Sequence, residues 1–252
     1  MEIAKKLKFS PGNAKLKGIP SLSLLSGYAC PFADKCFTKV DLITHKLIDG
    51  PNQIYRCFSA SQENLFKETF NQRKNNFDIL RTCKTPEEMA SLIQASLPNP
   101  KKKIIRIHVA GDFFSQRYFD AWMIVADDNP QLLFYTYTKS LNYWIARKDF
   151  MPSNLRITAS MGGRLDHLIQ EHNLKHVRVV TSPEEAKALN LQLDHDDTHA
   201  MYGDNNFALL IHGTQKAGSD MGKAKAALRK RGIMGYQRTT KKPNRYKKLV
   251  TA

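Results

Sequence analysis

The feature that most constrains this chain is an alternation. Six short apolar runs, rich in β-branched and aromatic residues, are separated by stretches of helical periodicity. The runs are Ser21 to Leu25, Ile104 to Ala110, Leu132 to Thr138, Leu155 to Ser160, Val177 to Thr181, and Phe207 to Ile211. Between them, Gln62 to Leu80 places Phe66, Phe70, Phe77 and Leu80 on one helical face, and Tyr118, Trp122 and Val125 form a second stripe. Thr85-Pro86-Glu87-Glu88 and Ser182-Pro183-Glu184-Glu185 each read as a helix start, with an N-cap, proline at the first position and a capping-box glutamate. Shorter helices are expected around Leu141 to Arg147 and Arg164 to His172, and a basic helix from Asp220 to Arg231 ends at Gly232.

Strand and helix in strict turn imply right-handed crossovers and a parallel sheet covered by helices. The expected class is α/β, a (βα)6 partial or TIM-like barrel with a basic C-terminal helical extension. A doubly wound open sheet shows the same alternation, but no G-x-G-x-x-G follows the first strand, which weighs against its dinucleotide-binding version. Chemistry then belongs at the C-terminal ends of the strands. Those handovers are polar: Gly111-Asp112, Thr138-Lys139-Ser140, Ser160-Met161-Gly162-Gly163 and His212-Gly213.

With 42% hydrophobic residues over 252 positions, the chain is neither disordered nor collagen-like. No run approaches the roughly 18 apolar residues of a membrane span, and MEIAKKLKFSPGNAKL lacks an apolar secretion core, so a soluble cytoplasmic protein without a membrane partner is expected. The net charge of +16 is concentrated: from Lys216 to Ala252 there are twelve basic residues and one acid, Asp220. This divides the chain into an α/β unit over 1–215 and a basic extension over 216–252. Lys223, Lys225, Arg229, Lys230, Arg231, Arg238, Lys241, Lys242 and Arg245, with Tyr236 and Tyr246 among them, suit contact with nucleic acid, DNA or RNA.

All four cysteines lie in the first third: Cys30, Cys36, Cys57 and Cys83. Five residues separate the first pair, and gaps of 20 and 25 follow, which match no zinc-ribbon pattern. Soft thiolates on a loop after the first strand suit a 4Fe-4S cluster, with Lys35, Lys39 and Arg56 near enough in sequence to offset its charge. Zinc is the less favoured metal.

The stretches GNAKL, SLSLLSGYACPFADKC, YRCFSASQEN, IRIHVAGDFFSQRYFDAW, FYTYTKSLNYW and HGTQKAGS resemble the phage protein family known as gene product eighty-eight, from about Asn13 to Tyr236. That resemblance implies a viral source and a host cytoplasmic location more than an activity. The architecture also resembles, at a distance, radical SAM proteins, which implies Cys30, Cys36 and Cys57 as cluster ligands and Gly111 with Asp112 at the turn that holds the SAM amino group. Here the cysteine gaps are five and twenty, against three and two in that signature. One cysteine for each of four irons is the simplest count, so a closed cluster that includes Cys83 is expected, redox or structural in role. An open three-cysteine cluster with SAM, and a zinc-containing or metal-free nucleic-acid module, are the alternatives.

Asp112, Lys139, His108 and His212 are the candidate catalytic groups, because all four fall at or near strand ends and would converge above the cluster. Asp194-His195-Asp196-Asp197-Thr198-His199 is the densest set of hard ligands, expected as a solvated loop unless it holds Mg2+ or Mn2+. The Ser160 to Gly163 turn is expected as a plain tight turn, with an anion-binding nest as the alternative. There is no G-x-S-x-G elbow, P-loop or H-E-x-x-H.

Overall fold

A computed structural model of the chain describes residues 6–12 and 16–233. Its main sheet has eight strands in the order β1-β2-β5-β6-β7-β8-β10-β9. They are β1 (Phe9–Ser10), β2 (Ser21–Leu22), β5 (Ile104–Arg106), β6 (Leu133–Thr138), β7 (Leu155–Ser160), β8 (His176–Val180), β9 (Gln192–Leu193) and β10 (Phe207–Leu210). Only β1 runs antiparallel to its neighbour; the other pairings are parallel. Each of the six apolar runs supplies a strand, and those six stand side by side in chain order. The sheet is open: β1 and β9 form its two ends, and no pairing between them closes it among the described residues.

The crossovers carry α4 (Gln116–Asp127), α5 (Leu141–Ile145), α6 (His167–Glu171), α7 (Pro183–Ala188) and α8 (Thr198–Tyr202), and α9 (Asp220–Lys230) follows the last strand. A long excursion between β2 and β5 holds the hairpin β3 (Thr38–Val40) and β4 (Leu47–Asp49), then α1 (Phe58–Leu65), α2 (Lys67–Thr82) and α3 (Pro86–Gln94). The proline-led starts behave as their chemistry dictates. Thr85 accepts a hydrogen bond from the Glu88 N–H, and Ser182 from that of Glu185. The single helix expected over Gln62 to Leu80 is two, broken at Phe66, whose extended backbone (φ −125°, ψ 100°) lets α1 follow the hairpin while α2 turns Phe70, Phe77 and Leu80 into the core.

That core joins Leu22, Leu24, Ile105, Ile107, Phe113, Tyr118, Trp122 and Phe134 on the α3–α4 side of the sheet. The helix expected to open the basic extension belongs to the same α/β body. Leu228 of α9 is buried with Val180, Ala208 and Leu210, and Met221 and Ile233 pack against them, so the expected boundary at 215/216 falls inside a shared apolar cluster. Arg238, Lys241, Lys242 and Arg245 lie outside the described residues.

Candidate functional site

A cavity of about 170 Å³ opens at the C-terminal ends of the parallel strands. Alternate residues from neighbouring strands face it: Arg106, His108 and Ala110; Tyr137 and Lys139; Val177 and Val179; Leu209 and Ile211. Cys30, Cys36 and Cys57 line it from the excursion after β2. Asp112, Lys139, His108 and His212, the four expected catalytic candidates, line it as well.

The loop that carries the cysteines is tied down at several points. Ala33 bridges Gly163, the Lys35 N–H donates to the Gly162 carbonyl at 2.9 Å, and that of Arg164 to the Phe32 carbonyl at 2.9 Å. The Arg56 N–H donates to the Gln215 side chain at 2.8 Å, which clamps the segment before Cys57 to the loop after β10. Beneath the loop the buried Glu63 accepts from the Ser26 N–H and hydroxyl and from Arg73 at 3.0 Å. The thiols of Cys30, Cys36 and Cys57 are thus presented by a braced frame.

Cys30, Cys36 and Cys57 are partly exposed, facing the cavity they line. Burial, then the neighbouring Asp112 and Cys57, raise Cys30 well above the ordinary thiol range. Burial and Cys36 push Cys57 up to about 11, against the backbone N–H groups of Ala60 and Ser59 at the start of α1. Cys83 is elsewhere. It caps the C-terminus of α2 and packs against the main core, outside the cavity, so the four-cysteine arrangement expected above is not assembled.

The charges are also redistributed. Arg56 pairs with Asp49 at 2.7 Å, Lys35 with Asp34 at 3.0 Å, and Lys39 lies over the Tyr28 ring. Lys139, like Arg106, is a cation of the cavity wall, and Lys139 is buried. Its Nζ donates to the Ser160 hydroxyl at 2.6 Å; burial alone would lower its pKa, but Cys36, Tyr55 and Asp112 together raise it. Asp112 is not a helix cap, since Ser115 caps α4 by accepting from the Tyr118 N–H. Asp112 instead accepts from the N–H groups of Phe113 and Lys139 at 2.7 Å and from the Thr138 hydroxyl. Its burial prevails over those donors and sets its pKa at about 6.

His108 is held neutral, its pKa lowered to about 3 by burial and by Arg106. Its Nε2 lies 3.1 Å from the Tyr118 hydroxyl, and its Nδ1 has no hydrogen-bond partner among the described residues. His212 donates its Nδ1–H to the Leu210 carbonyl at 3.0 Å and lies against Phe58, ring centroids 4.6 Å apart.

Sequence reasoning missed the far wall. Asp197, expected in a solvated loop, is buried and accepts from Arg106 at 2.7 Å, Tyr135 at 3.0 Å and Tyr137 at 3.1 Å. Asp194 accepts from the N–H groups of Asp196 and His199. Among the described residues no three His, Cys, Asp or Glu side chains stand close enough to hold one metal ion. The anion-nest alternative is also answered: the Gly162 and Gly163 N–H groups donate to the Asp166 carboxylate at 2.7 and 2.9 Å.

The model of a family described as gene product 88 matches residues 3–232. The chain belongs to that family. It is 28% identical over 137 residues to the gene 88 protein of Mycobacterium phage L5, covering 51% of each chain, and 28% identical over 137 residues to that of Mycobacterium phage D29, covering 51% of this chain and 50% of the relative. It thus spans about half the length of the curated relatives it matches. No solved structure matches. No helix among the described residues of this gene product 88 protein is long and apolar enough to cross a membrane.

Proposed function

We propose that this protein carries a 4Fe-4S cluster held by Cys30, Cys36 and Cys57 in the mouth of a partial (βα)6 barrel, with Cys83 taking no part. The observation that supports it is that three thiols from distant points of one braced loop line a single cavity at the ends of parallel strands. In a cuboid each thiolate takes a different iron, whereas the cysteine gaps of five and twenty residues match no zinc pattern. The donor set fits: soft sulfur, helix N–H groups beside Cys57, and Lys139 as the buried countercharge near Cys36. Iron would supply the positive charge that thiols raised by burial need in order to ionise.

Such a cluster supplies one-electron chemistry. Three cysteines leave one iron without a protein thiolate, which is the condition the radical SAM alternative requires, and Asp112 lines the same cavity. The barrel reading rests on the sheet face itself, since alternate residues of β5, β6, β8 and β10 or their C-terminal continuations share one cavity and so lie on a concave surface. Lys223, Arg229 and Lys230 of α9 are exposed and suit phosphate contact, whereas Lys225 is bonded to the Gly213 carbonyl and Arg231 to Glu184 at 2.6 Å.

Anaerobic purification with iron and sulfide analysis and an absorption spectrum tests the reading. About four irons with a broad thiolate-to-iron band, retained in Cys83→Ser and lost in Cys30→Ser, is the expected result. A colourless protein, or one whose iron is lost only in Cys83→Ser, overturns it.

A further inference from the structure

We propose that a single-stranded nucleic acid lies along α9 and delivers one base into the cysteine-lined cavity, which makes nucleic acid the substrate class of this site. The inference rests on the nucleic-acid part of the reading above.

Three hollows lie next to one another. The cysteine cavity shares the lining residues Phe58, Arg106, Val109 and His212 with a second hollow. The second shares Thr214 with a third, lined by Gln215, Gly218, Lys223, Lys225 and Arg229. A surface groove bearing three basic residues is therefore adjacent, across the loop after β10, to the hollow that flanks the cavity. The bond from Lys225 to the Gly213 carbonyl fixes that loop to α9, and Lys223 and Arg229 face solvent beside it. Lys223 pairs with Asp220 at 3.8 Å, and because both side chains are exposed, screening makes that pair weak.

Phosphates suit the groove and a planar base suits its inner end. Phe58 and His212, packed on each other with centroids 4.6 Å apart, stand where the lining of the second hollow meets that of the cavity, and Tyr137 lies further in with Arg106 over its ring, so three rings and a guanidinium border the path. His108 adds a polar atom, Nδ1, that has no partner among the described residues and is more than nine-tenths buried. When the Tyr118 hydroxyl donates to Nε2, Nδ1 carries the ring proton and offers it to an acceptor on the base. An anionic membrane surface would meet the exposed cations but could not enter the cavity behind them. A flexible single strand does both, because an unpaired base is already free to turn out.

The test uses the full chain and a labelled single-stranded oligonucleotide carrying one 2-aminopurine, with iron content measured on the same samples. Anisotropy reports binding, and the rise in 2-aminopurine emission reports a base leaving its stack. In Lys223→Ala/Arg229→Ala the slope of log affinity against log salt is expected to shrink by about 1.4, two single-strand phosphate contacts. In Thr214→Trp, which narrows the path between groove and cavity, anisotropy binding is expected to persist while the emission rise is lost. Binding with no emission change in the parent protein, or an unaltered rise in Thr214→Trp, overturns the path. An unchanged salt slope in the double variant overturns the groove, as does binding to phosphatidylserine vesicles without any to the oligonucleotide. A colourless protein that passes both arms sinks the cluster and leaves this proposal standing; an iron-loaded protein that fails either arm does the reverse.

Discussion

The backbone N–H of Lys139 donates to Asp112 Oδ2 at 2.7 Å, joining the ends of two neighbouring parallel strands within the cavity wall. One contact thereby orients a carboxyl whose pKa burial raises and a lysine whose ammonium is anchored on Ser160. The two groups differ in their response to burial because Lys139 has Cys36, Tyr55 and Asp112 around it, whereas the donors on Asp112 only partly offset its desolvation.

This sets a pH dependence of stability in which two cavity groups oppose each other. Between about 3.8 and about 6 the folded protein holds a proton on Asp112 that the unfolded chain has lost, so this group's contribution falls as pH rises. His108 has the reverse sign. From 6.5 down to about 3 the unfolded chain binds a proton that the buried ring refuses, so its contribution falls as pH drops. Each contributes up to about 1.4 kcal/mol per pH unit. Urea unfolding from pH 4 to 6 should therefore show Asp112→Asn losing stability towards acid and His108→Gln gaining it, relative to the parent. Identical pH profiles in both variants would refute the assignment.

The ion pair between Arg106 and Asp197 is buried, with side-chain exposures of 11% and 1%. Removing the acid leaves a guanidinium and two tyrosine hydroxyls facing the gap, so Asp197→Ala is expected to cost about 3–5 kcal/mol in urea unfolding. A loss under about 1 kcal/mol would mean that Arg106 finds water through the cavity.

Much of this was legible in the sequence, and for a clear reason. Strands buried on both faces leave unbroken apolar runs such as Phe207 to Ile211, and proline-led caps such as Thr85-Pro86 carry their own geometry, so the βα order and the polar strand ends followed. The break at Phe66 carries no glycine or proline and depends on where α1 and α2 pack. The role of Asp197 was hidden because its partners Arg106, Tyr135 and Tyr137 lie at least 60 residues away in the chain. Cys83 lies in helical sequence while the other three lie in loop-like sequence, a distinction outweighed by the count of one cysteine for each iron, and it stands at the C-terminus of α2.

Gly111 has φ +80°, and a Cβ there would lie 2.6 Å from the Leu24 Cβ. Both strain and overlap act on the turn that leads into Asp112, so Gly111→Ala is expected to destabilise by about 2–4 kcal/mol in thermal or urea unfolding. Gly218, also at positive φ (+78°), has nothing within 4 Å of that position, and Gly218→Ala isolates the strain alone with a loss near 1 kcal/mol. Equal losses at the two glycines would show that the close approach to Leu24 is relieved by backbone movement.

Thiol reactivity reads the cavity directly. Alkylation requires thiolate, and Cys57 at about 11 against an ordinary 9.0 holds about a hundredfold less of it at pH 8. Cys30 is raised further by burial and by Asp112. Isotope-coded iodoacetamide labelling of the iron-free protein should therefore modify Cys57 about a hundredfold more slowly than in urea, with Cys30 slower than in urea as well. Asp112→Asn removes one of the negative neighbours that hold Cys30 protonated, so Cys30 labelling should quicken in that variant while Cys57, whose leading causes are burial and Cys36, changes little. Labelling of Cys57 at the urea rate in folded protein would show that the cavity does not hold its thiol protonated.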